Sequence, residues 1–324
     1  ACGLGVLANA TGTQGMYNVV VGPQAGYDLT TGQQNILLGK DAGVQMTDNQ
    51  KNVAIGSMAL DAATGGEHYN VAIGAGALSA ENSNANFCVA IGFDALGLQN
   101  GNVKNTAIGG YAGDAITSGG QNTYVGYAAG SSNSTTGNNT AVGNLAYAIG
   151  TGSSNTCVGD RAGSSVASTG TAMSGDNNVC VGQLAGYTLT DGPGNVLIGM
   201  SAGKAMTTGD YNIAIGYQAA VTMVGASDNN IAIGPQTLYT EASGANYCIA
   251  IGREALYAQN HASCINLAIG YLAGDAITEG TQNVLIGHEA GSAIVTTDNS
   301  TGVGYKALNT ATGENNTALG SLTM

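Results

Sequence analysis

The side chains of this chain that could do chemistry are three histidines, six cysteines, twenty acidic residues and fifteen tyrosines. His68, His261 and His288 fall at unrelated positions, with no Ser, Cys or acidic partner at a catalytic spacing, so no enzyme is expected. The glycine-rich stretches contain no G-x-x-x-x-G-K-[ST] and cradle no phosphate. Turn pairs Asp48-Asn49, Asp176-Asn177, Asp228-Asn229 and Asp298-Asn299 could offer oxygens to calcium, the one cofactor the sequence raises. Without a D-x-D-x-D-G loop or a calcium-roll nonapeptide, they read as solvated turns, and no metal site is assigned.

The cysteines, at 2, 88, 157, 180, 248 and 264, include no C-x-x-C and match no zinc pattern. Cys157 and Cys180 share one slot in consecutive repeats, and Cys248 and Cys264 fall near each other on adjacent ones. Each pair is either a disulfide or two buried thiols. Tyr127, Tyr217, Tyr271 and Tyr305 each follow a recurring glycine, while Tyr17, Tyr69, Tyr211 and Tyr247 precede a recurring corner. Such rings could stack on glycan or cover an edge or a subunit contact. Threonine pairs such as Thr135-Thr136 and Thr207-Thr208 raise ice binding, but no regular T-x-T recurs.

What positions these residues is a repeat, which decides the architecture before any local reading does. Asn18-Val-Val-Val-Gly22, Asn35-Ile-Leu-Leu-Gly39 and Asn52-Val-Ala-Ile-Gly56 open a series of eighteen units that runs to Gly320, with steps of 16 to 18 residues. One step, Gly159 to Gly182, is 23, which predicts an inserted loop near 165–177; Gly5 hints at a further, degraded unit. A nine-coil block is duplicated, about 18–160 and 178–324, within a single solenoid spanning 1–324: Asp114-Ala-Ile-Thr117 returns as Asp275-Ala-Ile-Thr278, and Phe87-Cys88 as Tyr247-Cys248.

The residue before each closing glycine is Val, Ile or Leu, and the one two earlier is Val, Ile, Leu or Thr, a β-branched alternation of period two. The position between is usually Ala, giving one bulky and one small face, the small face suiting close association. Ala three residues after the glycine suggests a second short strand, and the remainder has turn composition. The expected fold is all-β, a parallel solenoid of about eighteen coils. Each coil traces roughly 55 Å of chain, and stacking at about 4.8 Å gives a rod about 85 Å long. Both its ends would be open edges that invite pairing.

Corner asparagines open fifteen units: Asn18, Asn35, Asn52, Asn70, Asn105, Asn122, Asn139, Asn155, Asn178, Asn195, Asn212, Asn230, Asn266, Asn283 and Asn316. They are expected to adopt awkward backbone angles and to pass amide hydrogen bonds along the stack. Cys88, Cys248 and Ser300 replace them in the other three.

With 53 glycines, 8% charged residues and no tryptophan, the chain is no ordinary globule, and its net charge of −13 argues against nucleic acid and anionic lipid. No run of eighteen apolar residues exists, so no membrane insertion is expected, and no export signal is visible.

The unit Asn-x-Ala-Ile-Gly-x-x-Ala, at Asn70 to Ala77, Asn105 to Ala112 and Asn212 to Ala219, resembles the head repeat of YadA-type trimeric autotransporter adhesins and related phage tail-fibre shafts. The resemblance implies a left-handed β-roll, three chains side by side about a threefold axis, and binding to host or matrix surfaces. The family's coil is shorter than this one. The helical stalk and membrane anchor of a complete adhesin are absent from this sequence, which favours a viral fibre or a segment of a longer filament. The expectation is an extracellular fibre or adhesin segment at a cell surface or virion, homotrimeric, although a dimer or monomer also satisfies the residues. The alternatives are the subunit of a self-assembling extracellular filament and a glycan- or ice-binding solenoid.

Overall fold

A computed structural model describes residues 17–81, 85–101, 103–164, 172–240, 244–261 and 264–324. The inserted loop therefore lies largely outside the described residues, as do Cys2 and Gly5. The fold is an all-β parallel solenoid, with eighteen three-residue strands among the described residues, from β1 (Val19–Val21) to β18 (Thr317–Leu319). Contacts divide the chain into two compact units, 1–154 and 155–324, a division that falls before the inserted loop and not at it. In the first, β1 through β8 (Thr140–Val142) pair with their chain neighbours, all parallel and in register. In the second, β9 (Thr156–Val158) through β18 do the same.

Each coil has one strand, not two. The segment after the glycine forms turns: Ala42 N–H donates to Gly39 O and Ala59 N–H to Gly56 O, both at 3.4 Å. The expected second strand fails because the second and fourth residues after the glycine are left-handed, as at Asp41 (φ 59°), Met58 (φ 57°) and Leu60 (φ 53°), which extended chain does not allow. The turns still stack, with Gly43 N–H donating to Ala59 O and Leu60 N–H to Ala77 O. Each left-handed non-glycine residue costs on the order of 1 kcal/mol, and neighbouring coils hold it in place.

The strand end admits only glycine. Gly56 has φ +138°, and a Cβ there would lie 2.5 Å from the carbonyl carbon of Gly74 in the next coil. The same collision repeats from Gly22 to Gly126 in the first unit and from Gly159 to Gly304 in the second.

The core reverses one expectation. The small face of the strand points inward: Ala54, Ala72 and Ala90 are fully buried, while the Val and Ile on either side are only half-buried. Alanine is small because the turn opposite fills the interior, with Leu60, Leu78 and Leu96 buried four residues after the glycine. Where the strand centre is large, that position is glycine instead, as in Leu37 with Gly43, Tyr124 with Gly130, Leu197 with Gly203 and Leu285 with Gly291. A Cβ on Gly203 would stand 2.8 Å from Leu197 Cδ2. At Gly302 the roles exchange, and Leu308 Cδ1 occupies the space, 3.1 Å from where a Cβ would sit. In these coils one large side chain fills the narrow interior at a time, and where both positions are small, as at Ala107 with Gly113, side chains of the neighbouring coils fill the space, as close packing requires.

Candidate interaction surface

The asparagine ladder lies beneath this surface. All the corner asparagines but Asn18 and Asn316 are buried, and the ladder bonds in two directions, with Asn178 Nδ2 left without a partner. Asn52 Oδ1 accepts the backbone N–H of Asn70 at 2.9 Å, and its Nδ2 donates to Glu67 O at 2.8 Å across the coil. Asn18, Asn35, Asn105, Asn122, Asn155, Asn178, Asn195, Asn212 and Asn266 likewise accept the next corner asparagine's N–H at 2.8 to 2.9 Å. Asn70 and Asn230 pass the bond to Cys88 and Cys248, and Asn283 passes it to Ser300, whose hydroxyl accepts from Asn316 N–H. Asn139 reaches Gly152 O at 3.0 Å. The amide relay is as expected, but the awkward backbone angle belongs to the residue before the asparagine: Gln34, Lys51 and Tyr69 have φ of 59°, 57° and 61°.

Two residues the sequence reading missed repair the ladder. Where cysteine replaces the corner, a buried glutamine eleven residues later reaches the next asparagine: Asn105 Nδ2 donates to Gln99 Oε1, and Asn266 Nδ2 to Gln259 Oε1, both at 2.9 Å. Their recurrence with Cys88 and Cys248 in both copies of the block was the available signal.

With the small residues inside, the outer face of the sheet carries two apolar rows. In the first unit one row runs Val19, Ile36, Val53, Val71, Val89 and then Thr106, Thr123, Thr140; the other is Val21, Leu38, Ile55, Ile73, Ile91, Ile108, Val125 and Val142. In the second unit, Ile213, Ile231, Ile249 and Leu267 pair in one row, and Ile215, Ile233, Ile251 and Ile269 in the other. Exposure reaches 50% at Val21 and 39% at Ile108. Monomeric soluble proteins rarely leave a contiguous apolar strip of this kind in water.

Aromatic rings stand at both ends of these strands. Before the corner, Tyr69 stacks on Phe87 with centroids 5.0 Å apart, and Lys51 Nζ sits 4.9 Å over the Tyr69 ring. After the glycine, Phe93, Tyr111 and Tyr127 form a column with centroids 5.2 and 6.0 Å apart, each meeting the next edge to face. In the second unit, Tyr271, His288 and Tyr305 form another, at 5.0 and 5.4 Å. Tyr127, Tyr217, Tyr271 and Tyr305 are all exposed. Within a column each ring also meets its neighbour along the stack. Of the histidines, His68 Nδ1 accepts from Gln50 N–H of the preceding coil at 3.0 Å, and His288 lies 3.3 Å from Glu289 beside its two tyrosines.

Turn carboxylates serve the stacking. Asp48 Oδ1 accepts from Gly66 N–H, Asp228 Oδ1 from Asp210 N–H, and Asp298 Oδ1 from Thr281 N–H. Among the described residues, no group of three or more His, Cys, Asp or Glu could hold a metal. Acidic pairs meet across coils at Asp41 and Asp61 and at Asp94 and Asp114, the latter beside an open depression of about 290 Å³. Asp61, Asp114 and Asp275 are pushed above the usual carboxylate range, by burial first and by the neighbouring carboxylates second.

The cysteine pairs divide. Cys248 and Cys264 form a disulfide with Cα atoms 5.6 Å apart. Cys157 and Cys180 are free thiols, although they are direct register partners on β9 and β10 (Val179–Val181). In-register parallel positions send both side chains the same way into the core and not toward each other, as a bridge requires. No protein-family model matches the chain, and no curated protein matches it.

Proposed function

We propose that the chain is a non-enzymatic structural solenoid: an extended fibre or adhesin segment that associates side by side with copies of itself and works outside the cell, on a cell surface or virion. The observation that carries this reading is the pair of apolar rows on the outer face of the sheet, continued coil after coil. A second copy with the same coil spacing matches those rows along their length, so a contact small in any one coil accumulates over the stack. Three copies, wound left-handed, is the arrangement implied by the resemblance to YadA-type heads and tail-fibre shafts. The Thr106, Thr123 and Thr140 segment and the exposed rings at the strand ends are the places where such a fibre would meet a glycan-bearing host or matrix surface.

Light scattering on the purified chain, with negative-stain images of the same sample, tests the reading. A discrete particle of three chains and fixed length supports it. A monomer at micromolar concentration overturns side-by-side association, and open-ended rods of variable length replace it with the filament.

A further inference from the structure

Three sulfur side chains converge inside the second unit, where the coil that carries the insertion begins. Cys157 and Cys180 occupy the centres of two paired strands, and Met173 lies between them in sequence; all three are fully buried. Both thiols face glycines that make room for them. A Cβ on Gly163 would collide with Cys157 Sγ and lie 3.2 Å from Met173 Sδ, so both sulfurs border the space this glycine leaves open. A Cβ on Gly186, one coil on, would lie 2.7 Å from Cys180 Sγ. The other strand centres among the described residues hold Ala, Val, Leu, Tyr or Gly. Two adjacent thiols are thus confined to the one place where the step of the repeat lengthens from 16 to 18 residues to 23.

We propose that Cys157, Cys180 and Met173 form a buried all-sulfur site for a soft monovalent cation, of which Cu(I) and Ag(I) are the representatives. Thiolate and thioether sulfur select such ions over calcium, magnesium or manganese, which take oxygen. Side chains that run parallel from register partners suit an ion held between two sulfurs better than they suit a direct sulfur–sulfur bond. Binding exchanges two S–H protons for one M⁺, so two protons leave per ion, no electron is transferred, and Met173 donates a lone pair without losing a proton. Because the site has no exposed sulfur, the ion enters when the coil opens locally, and bound ion then resists that opening. The inference concerns the core and stands independently of the fibre reading.

Ag(I), which resists reduction and oxidation under these conditions, is the probe. The full chain, carrying Cys88→Ser to remove the remaining free thiol among the described residues and Cys2→Ser so that every other unassigned cysteine is absent, is titrated anaerobically with Ag(I) and followed by native mass spectrometry and proton release. One tightly held Ag⁺ per chain with two protons released is expected. Cys157→Ser together with Cys180→Ser should abolish it, and Met173→Leu, which keeps the core volume, should weaken it by roughly tenfold, the effect of one lost ligand contact. The proposal falls if stoichiometry survives the double serine variant in a chain that still melts cooperatively. It falls equally if Met173→Leu binds as tightly as the parent, or if peptide mapping finds Cys157 and Cys180 joined as a disulfide in the reduced, anaerobic protein.

Discussion

Val71, Ala72 and Ile73 belong to one strand, yet Ala72 is sealed inside the coil while its neighbours stand half in water. In most sheet proteins the bulky side chains point in. Here the interior is too narrow, because the turn across from the strand already fills it with Leu78. The comparison teaches that the inner face is governed by fixed volume and the outer face by whatever later covers it. A change inside should therefore unfold the coil, whereas a change outside should leave the coil folded and alter only its associations.

The strongest way to break the inner rule is at the strand end. Gly56→Ala places a Cβ against the carbonyl of Gly74 and should cost more than about 4 kcal/mol, or prevent folding of the first unit altogether. Chemical denaturation followed by circular dichroism measures it, and a loss below about 1 kcal/mol would show that the coils can part at that edge.

The volume rule itself is sharpened by a pair. Gly203→Leu overpacks the coil against Leu197 and should cost about 3 kcal/mol. Leucine is sterically admissible there, since Leu60 occupies the corresponding place with φ 53°. Leu197→Ala alone should cost about 3 kcal/mol, yet the pair together only about 1 kcal/mol, a coupling energy of about 5 kcal/mol in a double-mutant cycle. Additive losses would mean that the two sites do not share one cavity.

The outer rule predicts the opposite pattern. Ile73→Thr with Ile91→Thr keeps β-branched residues of the kind found at Thr106, and should change folding stability by less than about 1 kcal/mol. It should nevertheless weaken self-association at least tenfold by sedimentation. Unchanged assembly would place the contact elsewhere.

The smallest effect comes from the carboxylates. Folding raises the pKa of Asp61, Asp114 and Asp275, so the folded state holds more protons than the unfolded chain in the interval just above pH 3.8. Their contribution to stability is therefore greatest below pH 3.8 and is lost as pH rises through the raised values. All three are partly exposed, so solvent screening keeps the change small. Melting of Asp114→Asn should lose that part of the pH dependence, and an identical pH profile would assign it to other groups.

The sequence by itself determined the period, the strand before each glycine, the demand for that glycine and the amide relay of the asparagines, but not that the coil has a single strand. Each of these is a backbone demand repeated in fifteen or all eighteen units, and repetition makes a local requirement visible. Even the exchange between Leu197 with Gly203 and Ala54 with Leu60 was written there, as alternating sizes six residues apart. Only the tertiary structure decided which face of the strand was inside. Alternation of period two states that two faces differ but not which of them meets the core, and burying the larger one is the ordinary expectation. That choice was set across the coil by the turn residues, whose left-handed backbone turns Leu60, Leu78 and Leu96 inward. For the same reason the sequence left both cysteine pairs open: spacing places thiols on neighbouring coils, but the direction of each side chain decides whether they bond or merely lie side by side.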